Sequence, residues 1–206
     1  MKEFASADLT MGQLNALVKK IGGRDNVLRV LRDELTLSEV VRSWSEEDNI
    51  IRFSVVSDGT SGANWIKRLE DAGHDVCTYS KQVLLSPDFQ PTFGVTIDIV
   101  VMKGTLFLND ERITRNIRAE AVGRRYVAPN LEVAYLISEK FTERQIMQMG
   151  LWGIVTMHEP ITDSAGNPSL LYAHCNGKSL SLSARNDSPF PWWDDGEGFA
   201  FAVLAI

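Results

Sequence analysis

Apolar residues along this chain repeat with two periods, and the change from one to the other falls near residue 50. Leu14, Leu17, Val18 and Ile21 recur at helical spacing, and Gly22-Gly23 supplies a left-handed stop. Asp25 then caps a second predicted helix presenting Val27, Leu28, Leu31 and Leu35. The polar, acidic stretch Ser43–Asn49 reads as a boundary, with a helical arm over residues 1–48 and a main domain over 49–206. Ile50–Val56 is β-rich and reads as the first strand of that domain. A loop, Ser57-Asp-Gly-Thr-Ser-Gly62, leads into a helix with Trp65, Ile66, Leu69 and Ala72 on one side, stopped by Gly73.

Val76–Leu85 reads as a short helix and Ser86–Thr92 as a proline-stiffened loop. In Val95–Met102 the residues Val95, Ile97, Ile99 and Val101 face one way, with Asp98 opposed to them. Asn109 or Asp110 is expected to cap a helix with Ile113, Ile117 and Ala121 inward. A further helix from Pro129-Asn130 points Leu131, Ala134, Ile137 and Phe141 to the core, and the capping box Thr142-Glu-Arg-Gln145 starts another that ends at Gly150. Leu151–Met157 is almost unbroken in apolar or small residues, as a strand covered on both faces requires, and it is the predicted hub. Ser169–Cys175 and Ser179–Ala184 form a hairpin around Asn176-Gly177, and Gly198–Leu204 closes the chain as a buried strand. The fold class expected is α+β: a mixed or antiparallel sheet with helices mainly on one side.

Composition narrows the classes. The 206 residues, 44% hydrophobic and 23% charged, suit one full domain plus an appendage. A net charge of -6 argues against a protein that coats nucleic acid, no apolar run is long enough to span a bilayer, and the first residues lack the apolar core of a secretory signal. A cytoplasmic location is expected. The two cysteines, Cys77 and Cys175, have no CxxC partner and read as reduced thiols, with a single disulfide left open.

Several groups carry candidate chemistry. Thr60 and Ser61 sit where a strand, a glycine loop and a helix N-terminus can receive a phosphate, although the loop lacks the GK[ST] ending of a P-loop. Arg112, Arg115 and Arg118, with Arg124 and Arg125, form the densest positive cluster and would face an anion. His158 is the candidate general base or metal ligand, and Glu159 beside it would point to the opposite face of a strand. The loop Phe190–Gly196 places Trp192 and Trp193 against Asp194 and Asp195. That grouping suits stacking on a flat or sugar-like ligand, with core cover as the competing role for the rings. With Asp163 and Glu159 those acids could also hold a calcium ion, and the histidines show no metal-ligand spacing.

The order Trp152-Gly-Ile, Glu159-Pro160, Trp193-Asp194 and a closing Phe199-Ala-Phe201 strand resembles the C-type-lectin-like superfold over the second half of the chain. That resemblance implies a calcium- and sugar-binding loop pair. The chain departs from the pattern in having no paired cysteines, Glu-Pro-Ile for Glu-Pro-Asn, and Asp-Asp for Asn-Asp. The blocks Asp58-Gly-Thr-Ser-Gly, Leu84-Leu-Ser-Pro-Asp-Phe, Ile117-Arg-Ala-Glu-Ala and Gly150-Leu-Trp…His-Glu-Pro-Ile161 are similar to uncharacterised small bacterial proteins, which implies a shared fold and no known activity. The leading functional expectation is a non-catalytic binding module using Trp192, Trp193, Asp194, Asp195 and Glu159, with a small ligand or protein as partner. The arm over residues 11–35 would make it a homo-oligomer. A hydrolase-like enzyme on a phosphorylated or nucleotide substrate, with His158 handling the proton, is the alternative. A DNA-binding regulator through residues 11–35 is the second alternative.

Overall fold

Caps and positive-φ turns cut the chain where the apolar pattern breaks. Residues 10–34, 43–87, 89–162, 166–177, 179–187 and 193–204 are described by the computed structural model. The chain divides into two compact units, Met1–Arg42 and Ser43–Ile206. In the first unit a capping box between Thr10 and Gln13 opens α1 (Met11–Lys20). Gly22 and Gly23, at φ 90° and 99°, turn the backbone into α2 (Arg24–Leu31). Asp25 lies in the first turn of α2 and Gly23 is its cap, so the start is set by backbone freedom and not by a side-chain oxygen.

The second unit opens with a strand that the acidic composition of Ser43–Asn49 hides, β1 (Ser45–Glu47). It pairs antiparallel with β2 (Ile50–Asp58) across Asp48 and Asn49, both at positive φ as a two-residue hairpin turn demands. There follow α3 (Gly62–Asp71), β3 (Asp75–Val76), α4 (Thr78–Leu85) and β4 (Phe93–Lys103). The next helix, α5 (Thr114–Gly123), starts later than Asn109 or Asp110 would set it. Its buried face is still Ile117 and Ala121. Then come β5 (Tyr126–Val127), α6 (Val133–Lys140), α7 (Glu143–Gln148, with the Thr142–Gln145 capping box) and β6 (Gly153–Thr156). The chain finishes with β7 (Ile161–Thr162), β8 (Pro168–Cys175), β9 (Leu180–Asn186) and β10 (Glu197–Val203).

One mixed sheet unites the strands in the order β1-β2-β4-β10-β6-β8-β9-β3, with β5 added to β10 and β7 to β8. Among the described residues only β10–β6 and β3–β9 are parallel pairs. The fold is α+β. The hub strand β6 lies between β10 and β8 with all four residues buried. On one face α3, α4, α6 and α7 cover the sheet, contributing Trp65, Leu69, Leu84, Ile137 and Ile146 to a core with Ile51, Phe53, Val101 and Ile154. Helix α6 is buried from Val133 to Ser138, which explains a sequence too apolar for one amphipathic stripe. On the other face a smaller core gathers Ile117 and Ala121 of α5 with Val100, Val155, Tyr172, Trp193, Phe199 and Phe201.

Strand β9 runs between the two cysteines. The Cys77 N–H donates to Leu182 O at 3.0 Å, and Cys175 pairs with Leu180. Two strand spacings, roughly 9–10 Å, are too wide for a disulfide. Both thiols are free.

The hub tolerates little change because Gly153 is its contact point with β8. A Cβ there would lie 2.5 Å from the Tyr172 ring and hydroxyl. Gly153→Ala is therefore expected to destabilise the fold by about 1–3 kcal/mol, read as a lower urea midpoint at unchanged slope.

Candidate binding surface

Because β6 and β10 run parallel, with Glu197 against Gly153 and Ala200 against Thr156, the residue after β6 and the turn before β10 lie at opposite ends of the pair. His158 and Glu159 therefore stand at one end and Asp194-Asp195 at the other. A single rim joining them, and the calcium or sugar site that the lectin-like resemblance implies, is not assembled. Asp163 and Trp192 lie outside the described residues. Among the described residues no group of three or more His, Cys, Asp or Glu could hold a metal ion.

The His158 end is a closed lock. The Leu171 N–H donates to Nε2 at 3.0 Å, so the proton sits on Nδ1, which donates to Glu159 O at 2.7 Å. Both ring nitrogens are spent on backbone, leaving no lone pair for a substrate or metal. Burial, with the Arg118 cation adding to it, pushes the imidazole down to about 4. The sequence-based role of general base is corrected to a structural one. Arg118 is part of the same lock, donating to Met157 O and His158 O and pairing with Asp187 at 3.1 Å. Burial raises the Asp187 carboxyl, against the pull of Arg118.

The anion pocket also comes apart. Trp65 and Leu69 fix the helix after Thr60 and Ser61 on the first face of the sheet, whereas Ile117 and Ala121 fix α5 on the second. Thr60 and Ser61 thus share no site with Arg112, Arg115 and Arg118. The loop already contains its own anion. Asp58 accepts from the Thr60 hydroxyl at 2.5 Å, pairs with Arg68 at 2.6 Å and accepts from the Thr60 N–H at 3.0 Å, and these bonds, the hydroxyl foremost, hold its carboxyl at about 2. Arg115 is exposed. Arg112 is buried, with its guanidinium donating to Gly104 O, Phe107 O, Trp193 O and Asn109 Oδ1. It is a brace, and it holds the turn on which the other end is built.

That end presents a usable surface. Trp193 is not on it. Its indole is buried, donates to Thr114 Oγ1 at 3.0 Å and meets Phe199 edge-on at 5.6 Å. The core-cover role is the one it takes. Asp194 and Asp195 are exposed on the turn that follows. Beneath them Glu197, 1% exposed, accepts from the Asp194 N–H and from Arg185, each at 2.9 Å. Burial raises its carboxyl despite both donors. Arg185 in turn lies over the rings of Tyr172 and Trp193, and Tyr172 stacks on His174 at 4.9 Å.

The aromatic ring that does face solvent is Trp152, 48% exposed. The Trp152 backbone N–H donates to Gly196 O at 2.9 Å, and the ring lies so close to Gly196 that a Cβ there would come within 2.9 Å of it. Met147, 61% exposed, stands beside it across a recess of about 400 Å³ bounded by Thr105, Gly150 and Asp195. Its acidic neighbours make Trp193 look like a ligand contact in sequence, whereas the structure buries its ring. The signal for Trp152 was a bulky ring between a helix-ending Gly150 and the small Gly153. The signal for Glu197 was an acid set between Gly196 and Gly198 at the head of an apolar run.

No protein-family model, no curated protein and no solved structure matches this chain.

The buried imidazole makes the protein acid-labile in a defined window. Its folded pKa, about 4, lies below the ordinary 6.5, so the unfolded chain binds more protons between these values. Stability is therefore full above pH 6.5 and is lost as pH falls toward 4, by roughly 3 kcal/mol for this group. Urea titrations across that range are expected to show the slope, and His158→Gln to flatten it.

Proposed function

We propose that this protein is a non-catalytic binding module and that its recognition surface is the corner formed by Trp152, Met147, Asp194 and Asp195. The observation that carries this reading is the half-exposed Trp152 indole, held against Gly196 in one recess with the exposed Met147 and Asp195, with Asp194 exposed on the same turn. A large ring with little freedom to lose, bordered by acids, matches a peptide segment carrying Lys or Arg next to an apolar side chain. The cation would sit over the indole face or against Asp195, while the apolar group would fill the recess beside Met147. The net charge of -6 favours such a cationic partner at long range.

The hydrolase-like reading loses its support, since its anion-gripping residues lie on opposite faces of the sheet and His158 has no free nitrogen. No helix among the described residues is long and apolar enough to cross a membrane.

Amide and indole NMR shifts during titration with short Arg/Leu and Lys/Leu peptides test the proposal. The expected result is a saturable response at Met147, Trp152 and Asp195, weakened by added salt. Trp152→Ala should lower the affinity by about tenfold or more, as removing a central aromatic anchor does, with the melting temperature nearly unchanged. Shifts confined to other surfaces, or an unaltered affinity in Trp152→Ala, would exclude this corner.

A further inference from the structure

We infer that the outer edge of β2 pairs with the same edge of a second copy of this chain, antiparallel about a twofold axis, to make one sheet running through a dimer. β1 accompanies β2 only from Ile50 to Arg52, and the chain bends away at Ser43. Beyond Arg52 no strand among the described residues pairs with that side of β2.

Backbone geometry says what the bare edge offers. Glu47 and Ile50 close the two-residue turn, so Ile50 and Arg52 direct their N–H and C=O groups to β1. With a period of two, Ser54, Val56 and Asp58 aim theirs the same way, where no strand among the described residues meets them. Natural sheets protect such an edge with charge, proline or a bulge in the edge strand. Phe53-Ser-Val-Val-Ser57 has neither charge nor proline. The register shift nearby inserts its extra residue in β4, since Val56 and Asp58 lie opposite Thr96 and Phe93. The edge strand itself stays regular and able to pair.

The occupant is read from charge and shape. The uncharged pentapeptide is bracketed by Arg52 at one end and Asp58 at the other. Antiparallel self-pairing sets each copy's Arg52 diagonal to the other's Asp58, which keeps its own Arg68, whereas parallel pairing would set like charges side by side. A twofold at Val56 places Ser54 opposite Asp58 of the other copy. It also lays the two Val56 side chains, each 57% exposed in the single chain, against one another. Pairing then stops before the lane occupied by β1, and Gly59, at φ 76°, turns each strand away. Along the same edge a groove of about 260 Å³ runs between Ser54–Val56 and Leu136, Glu139 and Lys140 of α6. It gives the incoming strand a second wall.

Sedimentation of the full chain over a micromolar to millimolar range tests this. The expected species has twice the 23.0 kDa of one chain, and Val56→Lys should weaken the dimer by about tenfold or more through two facing cations. Hydrogen exchange on the unaltered protein gives an independent reading. The Ser54 and Val56 amides should become protected as concentration rises through the dimerisation midpoint. A monomer at all concentrations overturns the inference. So does a dimer that Val56→Lys leaves intact, or one in which those two amides exchange at the monomer rate.

Discussion

The parallel pairing of β6 with β10 is the constraint from which the rest of this molecule follows. β6 is buried throughout and β10 from Glu197 to Ala202, so every backbone group there must find its partner within the sheet. Gly153 lets the Tyr172 ring lie across β6, and Gly198 lets Leu151 and Val101 close over β10, where a Cβ would meet them at 2.8 and 2.5 Å. Side chains that close cannot be rearranged piecemeal, and the register is accordingly fixed. Because the pair is parallel, the two loops richest in chemical groups are sent to opposite ends of the sheet.

Each end is then finished by an arginine-centred arrangement, half-buried at Arg118 and buried at Arg112, and the two differ in what they leave exposed. Arg118 satisfies the carbonyls that β6 presents as it ends and takes Asp187 as counter-ion. The result is closed, with a neutral imidazole inside it. Arg112 has four oxygen acceptors from neutral groups and braces the 193–196 turn from below. Glu197 completes the brace by holding the Asp194 N–H and Arg185. A turn anchored so firmly can present Trp152 and two carboxylates in a fixed arrangement, which is what lowers the entropic cost of binding.

Much of the fold was legible in the chain. The helices of the first unit, the Thr142 capping box and the Asn176-Gly177 hairpin follow from local rules, whereas the alternation expected of β4 gives way to an exposed Val95 and an unbroken buried run Ile99–Met102, because that end of the strand is covered on both faces. The interior position of β6 follows from its continuous apolar run. Strand β1 was not legible, because Ser-Glu-Glu is stabilised by pairing across the turn to Ile50–Arg52 and by the burial of Trp44, neither of which its own composition signals. The candidate site was half legible. Asp194 and Asp195 fall on the exposed turn, but Trp193 and Arg112, which look like ligand contacts in sequence, are consumed by hydrogen bonds inside the protein.

The sequence alone determined the class of fold and the hub strand, because these depend on period and on turn residues close together in the chain; His158 and Glu159, expected to alternate along that strand, fall beyond its end instead. Tertiary structure decided which polar groups are free. A histidine, two arginines and a tryptophan carry the same chemistry wherever they stand. Whether they meet solvent or a backbone carbonyl depends on strand direction and on which face of the sheet a helix takes, and both are set by contacts far apart in sequence.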